Sequence, residues 1–375
     1  MKKTLLFLAA AFVLCSCNFH RENVIVTKTP AERLQNRIDT LRHVGYMFGH
    51  QDDPFYGTTW EYCKDSSDTK LVTGDYPAIM GFDLGGIEMG DEKNLDSVPF
   101  DLIRKEAIKH YLRGGIITFS WHPRNPLTGG TAWDVSDTSV VESILPGGSQ
   151  AEKFELWMNR VVTFLDKIKS DEGRRIPFIL RPFHENNGSW FWWGEKLCSA
   201  EQYRQLWNMF QDYVSKALPN NIVWSYSPNL QGNWTTDKFM ERYPGNDRVF
   251  IIGCDAYQWG TEQDFVSGLR SDLTFIDGFA KENGRIIALT ECGYQNSPDS
   301  TWWTRVLKPI IDDYPISYLL PWRNYVGEHF GPAPDLCTKD DFIRFYEAPN
   351  TLFLEDIKPG KGMNLGRDSS EIIWM

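Results

Sequence analysis

Two glutamates sit where a carboxylate must be paired, metal-bound or functional, because burying one alone is costly. Glu185 follows an apolar run in Arg181-Pro182-Phe183-His184-Glu185-Asn186-Asn187-Gly188-Ser189-Trp190, and Glu291 closes another, Ile287-Ala288-Leu289-Thr290-Glu291, ahead of Cys292-Gly293. Two carboxyls at one mouth are the equipment of glycoside hydrolysis: one stays protonated to donate to the leaving oxygen, the other stays ionised to attack the anomeric carbon. Their surroundings must push their pKa values apart. Glu185 lies beside His184 and runs into Trp190-Phe191-Trp192-Trp193, apolar enough to raise a carboxyl and suit it to general acid/base work. Glu291 is then the nucleophile, held ionised by a donor such as the Tyr257 hydroxyl or Arg323. The plain reading of either glutamate is a salt-bridge partner at a rim. That explains one such residue as readily as function does, and two at matching positions poorly.

The elements between them must do the positioning. Eight short apolar or β-branched runs, at 44–49, 78–84, 115–121, 176–182, 222–227, 249–254, 286–291 and 316–322, alternate with helix-length stretches. The helical stretches are 30–42, 95–113, 150–170, 200–216, 236–243, 262–281, 300–313 and 339–355. Such alternation makes parallel βαβ units, and near-continuous apolar runs suit strands covered on both faces. An open doubly wound sheet would carry G-x-G-x-x-G after its first strand, where this chain has Phe48-Gly49-His50-Gln51-Asp52-Asp53. Polar or aromatic residues close nearly every run: His50, Asp83, His122, Glu185, Tyr257, Glu291, and Trp322 with Arg323. A closed barrel brings all eight strand ends to one mouth, so the expected fold is an α/β (β/α)8 TIM barrel, a single catalytic domain over 35–375. Residues 125–134 are expected as a long loop after the third strand and a wall of that mouth.

Composition narrows the ligand. The 39 basic residues against 50 acidic give a net charge of −11, which leaves no footprint for nucleic acid. At 42% hydrophobic and 24% charged, the chain is an ordinary globular protein, not collagen, long disorder or a multi-span membrane protein. Aromatics reach 14%, many in loop-like segments without basic partners, which suits flat uncharged ligands such as sugar rings. Core packing is their competing use. His50, His122 and His184 raise a metal-hydrolase reading, which the lack of H-x-H after the first strand and of H-E-x-x-H disfavours. No metal and no cofactor is expected. Cys63, Cys198, Cys254, Cys292 and Cys337 lack CxxC spacing and are odd in number, so no disulfide scaffold is expected.

The first seventeen residues read as a lipoprotein signal: Met1-Lys2-Lys3, an apolar run to Leu14, then Cys15-Ser16-Cys17 resembling a lipobox. Cys17 is the expected acylated residue and 18–34 a tether. The expected location is a lipid-anchored face of a bacterial membrane, the outer membrane facing the periplasm ahead of the cell surface, because Asn18-Phe19-His20-Arg21 carries no acidic cluster. A monomer is expected.

Together these residues resemble glycoside hydrolase family 26, over roughly residues 35 to 345. The resemblance rests on His184-Glu185 after Arg181-Pro182-Phe183, Trp190 five residues on, Thr290-Glu291-Cys292-Gly293, and Phe48-Gly49-His50-Gln51. It implies a retaining (β/α)8 enzyme of a group dominated by β-mannanases, with Glu185 as acid/base and Glu291 as nucleophile. It also implies that His122, His184, Trp190, Tyr257, Trp322 and Arg323 shape the subsites around the cleavage point. Trp190 and Trp322 would stack on pyranose faces; His122, His184 and Arg323 would bond hydroxyls. The implied substrate is β-1,4-mannan, cut within chains or from an end. The same fold acting on β-1,3-xylan or mixed-linkage β-glucan stays open, since telling one hydroxyl's orientation takes ångström-level placement of donors. So does a non-catalytic sugar-binding lipoprotein, which would keep the aromatics but need no pair of strand-end glutamates.

Overall fold

Alternate residues of each strand meet two different apolar environments, as a sheet covered on both faces requires. Met47, Ile79, Ile116, Ile179, Val223 and Ile251 share one cluster, while Phe48, Met80, Ile117, Leu180, Trp224 and Ile252 join another. The computed structural model describes residues 27–359. Its strands are β1 (Tyr46–Gln51), β2 (Ile79–Asp83), β3 (Ile116–Trp121), β4 (Phe178–Pro182), β5 (Ile222–Tyr226), β6 (Ile251–Tyr257), β7 (Ile286–Gly293) and β8 (Ile316–Pro321). Each pairs in parallel with the next, and β1 pairs with β8, which closes the barrel. The expected (β/α)8 architecture and all eight strands are present.

The helices are α1 (Pro30–Leu41), α2 (Asp68–Thr73), α3 (Phe100–Leu112), α4 (Val140–Ile144), α5 (Ala151–Leu165), α6 (Ala200–Ala217), α7 (Thr236–Arg242), α8 (Glu262–Asn283), α9 (Lys308–Ile311), α10 (Lys339–Tyr346) and α11 (Leu354–Ile357). Local chemistry sets several ends. Thr29 with Glu32, and Ser199 with Gln202, form reciprocal capping boxes at α1 and α6. Gly284 closes α8 in the left-handed conformation.

Three expectations need correction. Residues 30–34, expected within the tether, are helical instead: α1 begins at Pro30 and buries Ala31, Leu34, Ile38 and Leu41; Leu34, Ile38 and Leu41 pack with the inward-facing strand residues. The Ala31 amide donates to the Asn220 carbonyl just before β5, so α1 seals the base of the barrel. The helix expected over 300–313 is a π-helical turn, Trp302–Leu307, running into α9. That over 339–355 breaks at Pro349 into α10, a two-residue strand β9 (Thr351–Leu352) paired with β1, and α11. Cys17, the signal stretch and the tail beyond 359 lie outside the described residues. Among the described residues no helix is long and apolar enough to cross a membrane.

Candidate active site

The turn after β4 has a constrained backbone. Phe183 (φ 47°) and Glu185 (φ 53°) both adopt the left-handed conformation, on either side of His184. Each such residue costs on the order of 1–2 kcal/mol. The turn persists because it is tied at every residue. Tyr203 Oη donates to the Phe183 carbonyl (2.9 Å), Trp193 Nε1 to the His184 carbonyl (2.8 Å), and the Glu185 amide to the Ser227 carbonyl (2.7 Å). A Cβ at Gly188 would lie 2.4 Å from the Trp190 ring, so glycine lets the indole fold back. From there Trp190 Nε1 donates to Glu185 Oε2 at 2.7 Å.

Glu291 reaches the same place from β7 by an irregular register. Cys254 of β6 opposes Leu289, but Asp255 opposes Glu291, leaving Thr290 as an extra residue. A bulge of this kind re-aims the side chains that follow it. Arg181 Nη2 donates to Glu291 Oε1, and Tyr257 Oη donates to Oε2 at 2.7 Å. Through Nη1, Arg181 also donates to Asp255 Oδ2 at 3.0 Å, while Thr290 Oγ1 donates to Asp255 Oδ1 at 2.6 Å. One carboxylate oxygen from each of Glu185, Asp255 and Glu291 lies within 4.8 Å of the others. Arg181 already supplies the positive charge such a cluster needs.

The two glutamates differ in partners. Burial pushes the Glu185 carboxyl well above its ordinary value, and the charges of Glu291 and Asp255 push the same way, against the weaker pull of Trp190 and Arg181. Asp255 is raised too, by burial, with Arg181 opposing and Glu291 adding. Burial and Glu291 hold the Tyr257 hydroxyl well above its ordinary range, so it stays a donor. Glu291 accepts from a guanidinium and a phenol, as an ionised carboxylate does. A protonated carboxyl facing an ionised one across this gap can run acid-assisted displacement at a sugar carbon.

The remaining expected residues fall around this pair. Tyr257 touches Glu291 as anticipated; Arg323 does not. Its Nε pairs with Asp96 Oδ1 at 3.1 Å, and its guanidinium lies over the rings of Tyr56 and Tyr325, on the β1 side of the mouth. The arginine on Glu291 is Arg181. Trp322 is half-buried, its ring 5.9 Å from that of His122. His122 and His184 line the mouth but bond each other, with their Nε2 atoms 3.0 Å apart. His122 Nδ1 is 2.7 Å from Asp83 Oδ2, and His184 Nδ1 is buried without a partner. Both imidazoles are thus engaged by protein partners, His122 by Asp83 and His184, and His184 by His122. Trp192 and Trp193 are fully buried packing residues. His50 stays on the β1 side, bonded to Asp53 at 2.7 Å.

Sequence reasoning marked Asp83 as a strand-end residue without giving it a partner, and it missed the roles of Arg181 and Asp255, although each is a charge at or near the end of an apolar strand, the signal that singled out the glutamates. It also missed two open aromatics. Trp133, on the expected wall loop, stacks on His122 at 5.4 Å, and Trp259 stacks on Tyr257 at 5.4 Å with two-thirds of its surface exposed. The wall loop is knotted by Asn125, whose side chain accepts from the Leu127 and Thr128 amides and donates to the Asp134 carbonyl.

Comparison with known proteins agrees with this geometry. The profile of glycosyl hydrolase family 26 matches residues 26–300. A mannan endo-1,4-β-mannosidase of Bifidobacterium adolescentis is 30% identical over 281 residues, which are 69% of this chain and 28% of that protein. One from Bacillus subtilis is 26% identical over 310 residues, 80% of this chain and 78% of that one. The solved structure of a β-mannanase from Bacteroides ovatus superposes with a TM-score of 0.85 at 44% identity, covering 88% of this chain and 96% of that chain.

Proposed function

For this chain, which belongs to glycosyl hydrolase family 26, we propose hydrolysis of β-1,4-mannan with retention of anomeric configuration. Glu185 protonates the glycosidic oxygen while Glu291 attacks the anomeric carbon, giving a mannosyl-enzyme ester. Glu185, now ionised, takes a proton from water, which displaces Glu291. The observation that carries this is the spacing: carboxylate oxygens within 4.8 Å suit direct attack, whereas an inverting pair leaves roughly 6.5–9.5 Å for water. Tyr257 and Arg181 hold the nucleophile, and Trp190 and Trp322 offer faces for the sugar rings on either side. Mannan is supported as substrate by the mannanases named above, and the enzyme acts without a cofactor.

We further propose that Cys17 carries lipid and fixes a monomeric enzyme to a bacterial membrane, supported by the pattern at residues 1–17. Cys17→Ala should then move the protein from the membrane to the soluble fraction.

Proton NMR of early hydrolysis of mannohexaose tests the chemistry. The β-anomer is expected first, from the native enzyme only, with Glu185→Gln and Glu291→Gln slowed at least a thousandfold. The α-anomer first, or faster release from xylan or β-glucan than from mannan, overturns the reading.

A further inference from the structure

Behind the pair of glutamates lies a buried chain of groups that the reaction as written does not use. It starts at Asp83, at the end of β2 and fully buried. Four donors converge on its carboxylate: Ser120 Oγ (2.6 Å) and His122 Nδ1 (2.7 Å) on Oδ2, the Gly85 amide (2.7 Å) and the His122 amide (3.4 Å) on Oδ1. So many donors keep it ionised. His122 passes the contact on to His184 through the two Nε2 atoms, and His184 Nε2 stands 3.7 Å from Glu291 Oε1.

Two nitrogens 3.0 Å apart hold one proton between them. If it belongs to His122, that ring is an imidazolium and His184 offers a lone pair. If it belongs to His184, both rings are neutral and His184 points an N–H toward His122 beside Glu291. The choice follows from the charges around His122: Asp83 on β2, Asp96 on the following loop, Asp255 on β6 and Glu291 on β7 favour the cation, against Arg181 on β4. Trp133, Phe191 and Trp322 enclose the ring on its other sides and carry no charge.

We propose that Asp83 is a positioning residue that keeps His122 as an imidazolium donating to His184, which places a fixed positive charge one ring away from Glu291, whose direct donors are Arg181 and Tyr257. Burial alone would drive both histidines neutral; Asp83 and Glu291 instead hold His122 above its ordinary value, while burial, Arg181 and His122 push His184 well below its own. The arrangement makes the alkaline fall of activity a property of His122 as well as of Glu185. This rests on the reading of Glu291 as nucleophile, but its first test does not.

In the native protein labelled with [15N]histidine, one residue, assigned to His122 by its loss in His122→Gln, should show both ring nitrogens protonated at pH 7. Asp83→Asn, which keeps the shape and removes the charge, should lower that titration by at least one pH unit. It should also move the alkaline limb of kcat against pH downward by a similar interval, with KM changed less than threefold. A neutral His122 in the native protein at pH 7 overturns the proposal, as does an Asp83→Asn pH profile that only scales down. Inactivity of all forms on mannan would instead sink the proposed function and leave the NMR result standing.

Discussion

Glu185 is held in a backbone conformation and an apolar setting that both oppose folding. The folded protein keeps a proton on this carboxyl that the unfolded chain releases, so stability falls as pH rises from the ordinary glutamate value toward the raised one. Glu185→Gln removes that slope. Its melting temperature is expected to exceed the native value by several degrees at pH 8 and to match it at pH 4; an equal gain at both would show that ionisation of Glu185 is not what costs stability, since glutamine keeps the same backbone conformation. The candidate pair was legible because a carboxylate ending an apolar run has few innocent explanations. Choosing Arg323 over Arg181 as the partner of Glu291 failed for a physical reason. Which way a strand residue points depends on strand parity, and a one-residue uncertainty in register reverses it. The pairing of His122 with His184 needed a distance between β3 and β4 that spacing along the chain does not contain.

At the scale of elements, the eight strands were legible to within about three residues because buried parallel strands are unbroken apolar runs. The short helices α2 and α4 were not. Asp68 in α2 accepts from Trp60 Nε1 and Asn324 Nδ2, so distant loops hold that helix in place rather than its own six residues. The irregularity in β7 was invisible for a similar reason: a bulge exists only relative to the neighbouring strand. α1 offers an element-level prediction. Ile38 is fully buried among residues of the barrel floor, so Ile38→Ala should cost about 2–5 kcal/mol of stability. Because the floor lies at the opposite end of the strands from Glu185 and Glu291, kcat/KM well below the melting temperature should stay native. A loss of turnover in fully folded protein would mean that the floor tunes the mouth.

The whole molecule carries a net charge of −11 and, on the proposed reading, takes a neutral polymer. Steering by such a field requires a charged partner. kcat/KM on unsubstituted mannan should therefore change less than twofold between 20 and 500 mM sodium chloride, a range over which the screening length falls from tens of ångströms to a few. A steep salt dependence would point to an ionic substrate. The closed floor has a further consequence. Residue 27 emerges beneath the barrel, beside α1, while the glutamates open at the far rim. Positions 17 and 27 can be separated by at most about 35 Å of stretched backbone. On the proposed acylation of Cys17, the attachment to lipid would lie on the side of the barrel away from the two glutamates, within that reach of α1.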